Sequence, residues 1–250
     1  MLNGPRFRIT GLIVTDRGGS RAGYFMAGAL AVALASIASP ALAVDEACDP
    51  DDARCTQAVA LVETAIAALP ELAEIEGYVR ERRERIMAAQ TAPAQAAMMR
   101  DERRFKAGLA GLLTASGFEG AERRAALNLL KARWRSLDRT YAMAEHVNGY
   151  WENTGGSLSV IRSGPGTAQV SWAVRGIDGE LVERCAVSGQ GDTGGTSLAL
   201  TLEDEAVLTL TMHDGALWTE YRGSDGSCAA ALAQSDVYFS ADREIGVPSL

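Results

Sequence analysis

The chain has 250 residues, with 32 acidic against 24 basic side chains and a formal charge of −8, which makes it a poor candidate for nucleic acid, whose phosphates require a basic surface. Its length suits one domain of ordinary size or two small ones, and two are expected. Four cysteines beside only two histidines favour disulfide over metal chemistry.

Residues 1–43 read as a secretory leader. Arg21 precedes an apolar run from Tyr24 to Ala38, Ser39-Pro40 breaks it, and Ala41-Leu42-Ala43 presents Ala41 and Ala43 as the small residues a signal peptidase accepts. The run falls short of the ~20 residues that a helix needs to cross a bilayer, so no stable membrane insertion is expected after cleavage. Cys48 follows Asp45-Glu46-Ala47 in place of a small apolar lipobox, which argues against lipid attachment. Cleavage would remove Arg6, Arg8, Arg17, Arg21 and Asp16, taking the charge from −8 to −11. The expected location is the bacterial periplasm or the exterior. In such an oxidising compartment, local pairing of Cys48 with Cys55 and of Cys185 with Cys228 is the simplest of three connectivities.

From about Thr56 to Val147 apolar residues recur at helical spacing. A first helix runs from Thr56 to Leu69 and Pro70 opens a second, with Leu72, Ile75, Val79 and Ile86 on one stripe and the charged run Arg80 to Arg85 on a solvated face. Thr91-Ala92-Pro93 opens a third helix, with Met98, Glu102, Phe105, Leu109 and Leu112 along one side and Gly117 placed to cap its end. In the fourth, Leu127, Leu130, Trp134, Leu137, Tyr141 and Ala144 form a seam expected to pack on the other helices.

After Asn148-Gly149 the period becomes two. Leu158/Val160, Val170/Trp172/Val174, Leu181, Leu198/Leu200/Leu202, Leu208/Leu210/Met212 and Leu217 alternate with polar residues. Gly155-Gly156, Gly164-Pro165-Gly166, Asp178-Gly179, Asp214-Gly215 and Asp225-Gly226 separate them as turns. The expectation is an α+β protein: residues 44–147 an antiparallel helical bundle or set of hairpins, 148–241 a small antiparallel β-barrel or sandwich of seven or eight strands, 242–250 a tail. Each half is expected to bury a core of its own.

Chemistry is sparse. His146 sits between the halves and His213 begins a turn, and no Gly-x-Ser-x-Gly elbow accompanies them. Gly189 to Gly195 is glycine-rich but has neither a phosphate-loop lysine nor a following helix, so it reads as a flexible hairpin loop. The acidic cluster Asp45, Glu46, Asp49, Asp51 and Asp52 does not match a calcium-loop spacing. No enzyme, metal or cofactor is expected.

The segment CTQAVALVETAIAALPELAEIEGYVRERRERI, beginning at Cys55, carries a cysteine, a Glu-x-x-Ile step (Glu63, Ile66), Pro70-Glu71-Leu72-Ala73 and a charged helix. With Met99 to Phe105, including Glu102, Arg103 and Phe105, it resembles the lysozyme inhibitor LprI-like N-terminal domain family over about residues 55–113. Two departures stand out. Ala67 lies where the family usually has a second cysteine, leaving Cys55 to Cys48, and Phe105 replaces a tryptophan. The resemblance implies a periplasmic, non-enzymatic inhibitor of lysozyme or another cationic cell-wall hydrolase. An acidic mature chain fits such a partner, and Gly189 to Gly195 or Asp225 to Ser227 are candidate contact loops. The alternative is an envelope structural or protein-interaction module without inhibitor activity, docking through the Arg80 to Arg85 face.

Overall fold

A computed structural model describes residues 52–141, 144–177, 181–201, 206–223 and 236–242. The leader with Ala41 and Ala43, Cys48, Cys228, the Asp178-Gly179 and Asp225-Gly226 turns and the tail after Asp242 lie outside these residues. The described part is α+β: helices precede a closed antiparallel barrel of eight strands.

Helix α1 (Ala53–Ala67) starts where the Asp52 carboxylate accepts the Arg54 backbone N–H at 2.8 Å. That hydrogen bond also holds the Asp52 carboxyl below its ordinary pKa. Pro70 opens α2 (Pro70–Met87), where the fixed φ of proline suits the first turn and no donor is lost. Helix α3 (Ala92–Leu109) has Pro93 in its first turn and runs into a short 3-10 turn, Ala110–Leu112. Helix α4 spans Gly120–Arg139. Its last carbonyls are capped from α2: Arg82 donates to the Leu137 carbonyl at 3.3 Å and to the Asp138 carbonyl at 2.8 Å.

The strands β1 (Gly149–Asn153), β2 (Gly156–Gly164), β3 (Thr167–Ile177), β4 (Leu181–Thr193), β5 (Ser197–Thr201), β6 (Val207–His213), β7 (Ala216–Arg222) and β8 (Asp236–Ala241) pair in chain order, and β1 pairs with β8 to close the ring. Closure removes the sheet edges, which would otherwise template pairing with other chains. At the β6–β7 hairpin, Asp214 and Gly215 take φ of 55° and 75°, the left-handed pair that a tight turn matching the strand twist requires.

Alternation sends Trp151, Leu158, Val160, Val170, Trp172, Leu198, Leu208, Leu210, Leu217 and Tyr238 into one buried cluster that fills the barrel. Trp172 Nε1 donates to the Tyr238 hydroxyl at 2.7 Å, with the rings edge to face at 6.2 Å. A second cluster joins Val62, Ile66, Leu72, Phe105, Leu109 and Leu130 among the helices. The third is shared. Val79, Ile86, Met98 and Leu137 of the helices pack on Ala216, Val237 and Phe239, so β8 buries both faces, Tyr238 inward and its neighbours toward the helices. At Gly108 of α3 an added Cβ would stand 2.6 Å from Ile177 Cδ1, so the absent side chain lets α3 approach the end of β3.

Several expectations change here. Trp134 and Tyr141 are 41 % and 48 % exposed. Leu130 and Leu137 of the anticipated seam are buried, but the buried face of α4 is completed by Ala126, Leu129 and Arg133. Gly117 does not cap α3: that helix ends earlier, and Gly117 closes a separate turn in which its carbonyl accepts from Thr114 N at 2.9 Å. The glycine-rich run is mostly strand, with β4 extending to Thr193 and Gly191 buried opposite Ala168. Leu181 is not an inward residue; it is 39 % exposed at the start of β4. Nor is Arg80 to Arg85 a uniformly solvated face, because Arg83 is buried and Arg82 is engaged at the end of α4.

Candidate functional site

The buried side of the helices contains charge. Asp101, Glu102 and Lys106 of α3, Glu76 and Arg83 of α2 and Arg133 of α4 are each at most 9 % exposed. Removing six charges from water is costly unless they neutralise one another, and here three carboxylates meet three cations. Arg133 Nη2 lies 2.6 Å from Asp101 Oδ2 and 3.4 Å from Glu102 Oε2, while its guanidinium stands 5.7 Å over the Phe105 ring. Arg83 Nη1 approaches Glu102 from the other side at 3.0 Å. Lys106 bridges Glu63 at 2.8 Å and Glu76 at 3.0 Å.

Ionisation follows from this layout. Burial pushes the Glu76 carboxyl above its ordinary value, the nearby Glu102 charge adds to the rise, and Lys106 only partly offsets it. Burial works against the Lys106 ammonium, yet the Glu63 hydrogen bond and the charges of Glu76 and Glu102 outweigh it and raise its pKa. The same contest favours charged Arg133: burial opposes it, and Asp101 and Glu102 prevail.

The network reaches the barrel through one residue. Asp101 Oδ1 accepts the Thr154 backbone N–H at 2.8 Å, clamping α3 to the β1–β2 turn. Beside that clamp, α4 and the ends of β1, β3 and β4 enclose a cleft of about 120 Å³. Arg133, Arg135, Arg139 and Arg175 line it, with Glu152 as the only acidic residue of its wall among the described residues. Glu152 receives Arg139 at 2.9 Å and Arg175 at 3.5 Å, and Arg175 also donates to Ser157 Oγ at 3.2 Å. A register shift between Val174 and Arg175 in the β3–β4 pairing places Arg175 at this mouth, a common use of a β-bulge. Arg135 is exposed and, among the described residues, makes no ion pair or hydrogen bond. Behind the wall, among the described residues, Arg133 Nε and Asn153 Oδ1 are closed to solvent and have no hydrogen-bond partner, on residues each 5 % exposed. The Asn153 amide nitrogen is committed to the Val237 carbonyl at 3.1 Å, which fixes the side chain and the direction of its oxygen.

Of the sequence-identified motif residues, Glu63, Glu102 and Phe105 come together around Lys106 and Arg133. Ile66 and Leu72 are buried in the helical core, Pro70 opens α2, and Glu71 pairs with Arg123 of α4 at 2.9 Å. Arg103 is half-buried, and its Nε has no hydrogen-bond partner. Among the described residues no cysteine is free: Cys55 and Cys185 are both disulfide-bonded, while Cys48 and Cys228, their expected partners, lie outside that set. His146 is exposed, and His213, also exposed, stacks on Trp218 at 4.6 Å and contacts Asp214 at 3.0 Å. The described residues contain no group of three or more His, Cys, Asp or Glu side chains placed to hold a metal ion.

Arg133, Arg135, Arg139 and Arg175 were not singled out from sequence. One signal existed: Glu102 falls on the apolar stripe of α3, and a carboxylate on a buried face demands a buried cation. The cations are Arg83 and Arg133, and sequence offers no way to pair Arg133 with it at a separation of 31 positions. No family model, curated protein or solved structure matches the chain, so the LprI-like resemblance rests on its motif residues alone.

Proposed function

We propose that the chain is an exported, non-enzymatic binding protein that recognises an anionic group at the seam between α4 and the barrel. The observation that carries this reading is the cleft: in a chain of charge −8, four arginines converge around one carboxylate, and Arg135 among them is unpaired. Arginine presents a planar fork of donors suited to carboxylate or phosphate oxygens. The ion network behind the cleft holds that fork in place, which lowers the ordering cost of binding. The leader-like segment at residues 1–43 supports an extracytoplasmic setting. Titration with sodium acetate and with inorganic phosphate, followed by NMR, is expected to shift the resonances of Arg135 and Thr154, and Arg135→Glu to weaken the response at least tenfold. Unmoved resonances with both anions would defeat the reading.

The acidity supports a second reading, inhibition of lysozyme or another cationic cell-wall hydrolase, because a charge of −11 after cleavage would raise the encounter rate with a basic partner. It predicts slower lysis of cell walls by lysozyme at stoichiometric protein, and an unchanged lysis rate across several lysozyme classes would remove it. An envelope module docking through Arg80 to Arg85 has less support, since Arg82 and Arg83 are engaged within the molecule. The pairings Cys48–Cys55 and Cys185–Cys228 belong to the same proposal, and mass spectrometry of the unreduced digest tests them.

A further inference from the structure

We infer that Glu152 is a built-in competitor for the arginines of the cleft, and that it makes the site selective for a doubly charged phosphate group over a carboxylate. This deepens, and rests on, the reading of the cleft as an anion site.

The seat already holds an anion. Glu152 of β1, 7 % exposed, spans two guanidiniums with one oxygen each: Oε2 lies 2.9 Å from Arg139 Nη2 and Oε1 lies 3.5 Å from Arg175 Nη1. All three residues line the cleft. A ligand that engages Arg139 and Arg175 must therefore take the place of this carboxylate. A competitor tethered beside its site acts at an effective concentration on the order of millimolar or more.

A free carboxylate gains little by the exchange. It brings two oxygens and one negative charge, which is what Glu152 supplies, and it gives up its own freedom on binding. A phosphate monoester brings three oxygens and, above its second pKa of about 6, close to two charges. The wall has the matching surplus. Arg135 is exposed and, among the described residues, makes no ion pair or hydrogen bond, and it stands one turn before Arg139 on α4, where side chains four positions apart are neighbours. Two phosphate oxygens replace those of Glu152, the third meets Arg135, and the second charge strengthens the attraction to all three guanidiniums. A phosphodiester, with one charge and two free oxygens, is turned away on the same ground as a carboxylate.

The test is calorimetric titration of the purified protein at about pH 8, where a monoester is dianionic. Methyl phosphate and inorganic phosphate are each expected to bind at least tenfold more tightly than acetate or dimethyl phosphate; whichever of the first two binds more tightly names the source, an esterified or a free phosphate, and either order supports the inference. Glu152→Gln separates a competitor from a mere tie between α4 and the strands. Loss of a competitor strengthens acetate at least tenfold, whereas loss of a tie weakens every anion. Should that variant fail to fold, the wild-type preference for methyl phosphate over dimethyl phosphate decides, together with a displaced Glu152 carboxyl carbon resonance at saturating methyl phosphate. Equal binding of the two esters, or acetate no tighter in folded Glu152→Gln, overturns the inference while the anion site stands. Absence of binding by all four probes overturns both.

Discussion

The interior of the barrel and the charged side of the helices are buried to a similar degree, yet they are built from opposite materials. The first is a ring of Leu, Val, Trp and Tyr with a Trp172–Tyr238 hydrogen bond among them; the second is a six-membered network of ions. Apolar burial is non-directional and tolerates repacking. A buried ion network tolerates little, because each member is needed to neutralise another. The interior thus supplies stability, while the ion network, through Asp101 and Thr154, fixes how α3 meets the β1–β2 turn beside the cleft.

Substitutions can break this contrast. Arg133→Ala strands Asp101, leaves Glu102 to Arg83, and is expected to cost about 3–5 kcal/mol in denaturant unfolding. Replacing Arg133 and Asp101 together with apolar residues of similar size, which keeps the Arg83–Glu102 pair, should recover most of that loss while loosening the Thr154 clamp, seen as faster hydrogen exchange at the Thr154 amide. In the barrel, Leu210→Ala should cost about 2–4 kcal/mol with the same exchange pattern at the seam. Tyr238→Phe leaves Trp172 Nε1 without its partner and should cost about 1–3 kcal/mol.

The smallest effect concerns pH. Because the folded-state pKa of Glu76 is raised, its protonated form favours folding: its contribution is fully present below the ordinary value of 4.5 and is lost as pH rises through the raised value. The stability difference between wild type and Glu76→Gln should therefore shift against wild type as pH climbs from about 4 upward, measured by urea unfolding at each pH. A difference that stays flat over this range would show that Glu76 titrates normally.

How much of this was legible depends on whether a residue's neighbour lies nearby in sequence. The period-two pattern from Leu158 to Leu217 disclosed the strands because alternation is local, and Asp214-Gly215 disclosed its turn for the same reason. Strand β8 was harder. Val237-Tyr238-Phe239 is apolar throughout, a pattern that makes sense only once helices cover its outer face. Trp134 misled because an aromatic at heptad-like spacing looks like core, whereas α4 turns Arg133 inward to meet Asp101 and leaves Trp134 outside. The cleft was illegible for the same reason, its wall being drawn from positions 105 to 181.

Ring closure has a kinetic consequence. Trp151 faces Ser240 across the β1–β8 ladder, and Tyr141 N donates to the Ser240 carbonyl at 2.7 Å, so β8 must be delivered before either junction forms. Helices α2 to α4 emerge first, but the surface that covers Val79, Ile86 and Met98 arrives last. Such high contact order makes for slow folding, with an interval in which an apolar helical face lies uncovered and open to chaperones or to aggregation.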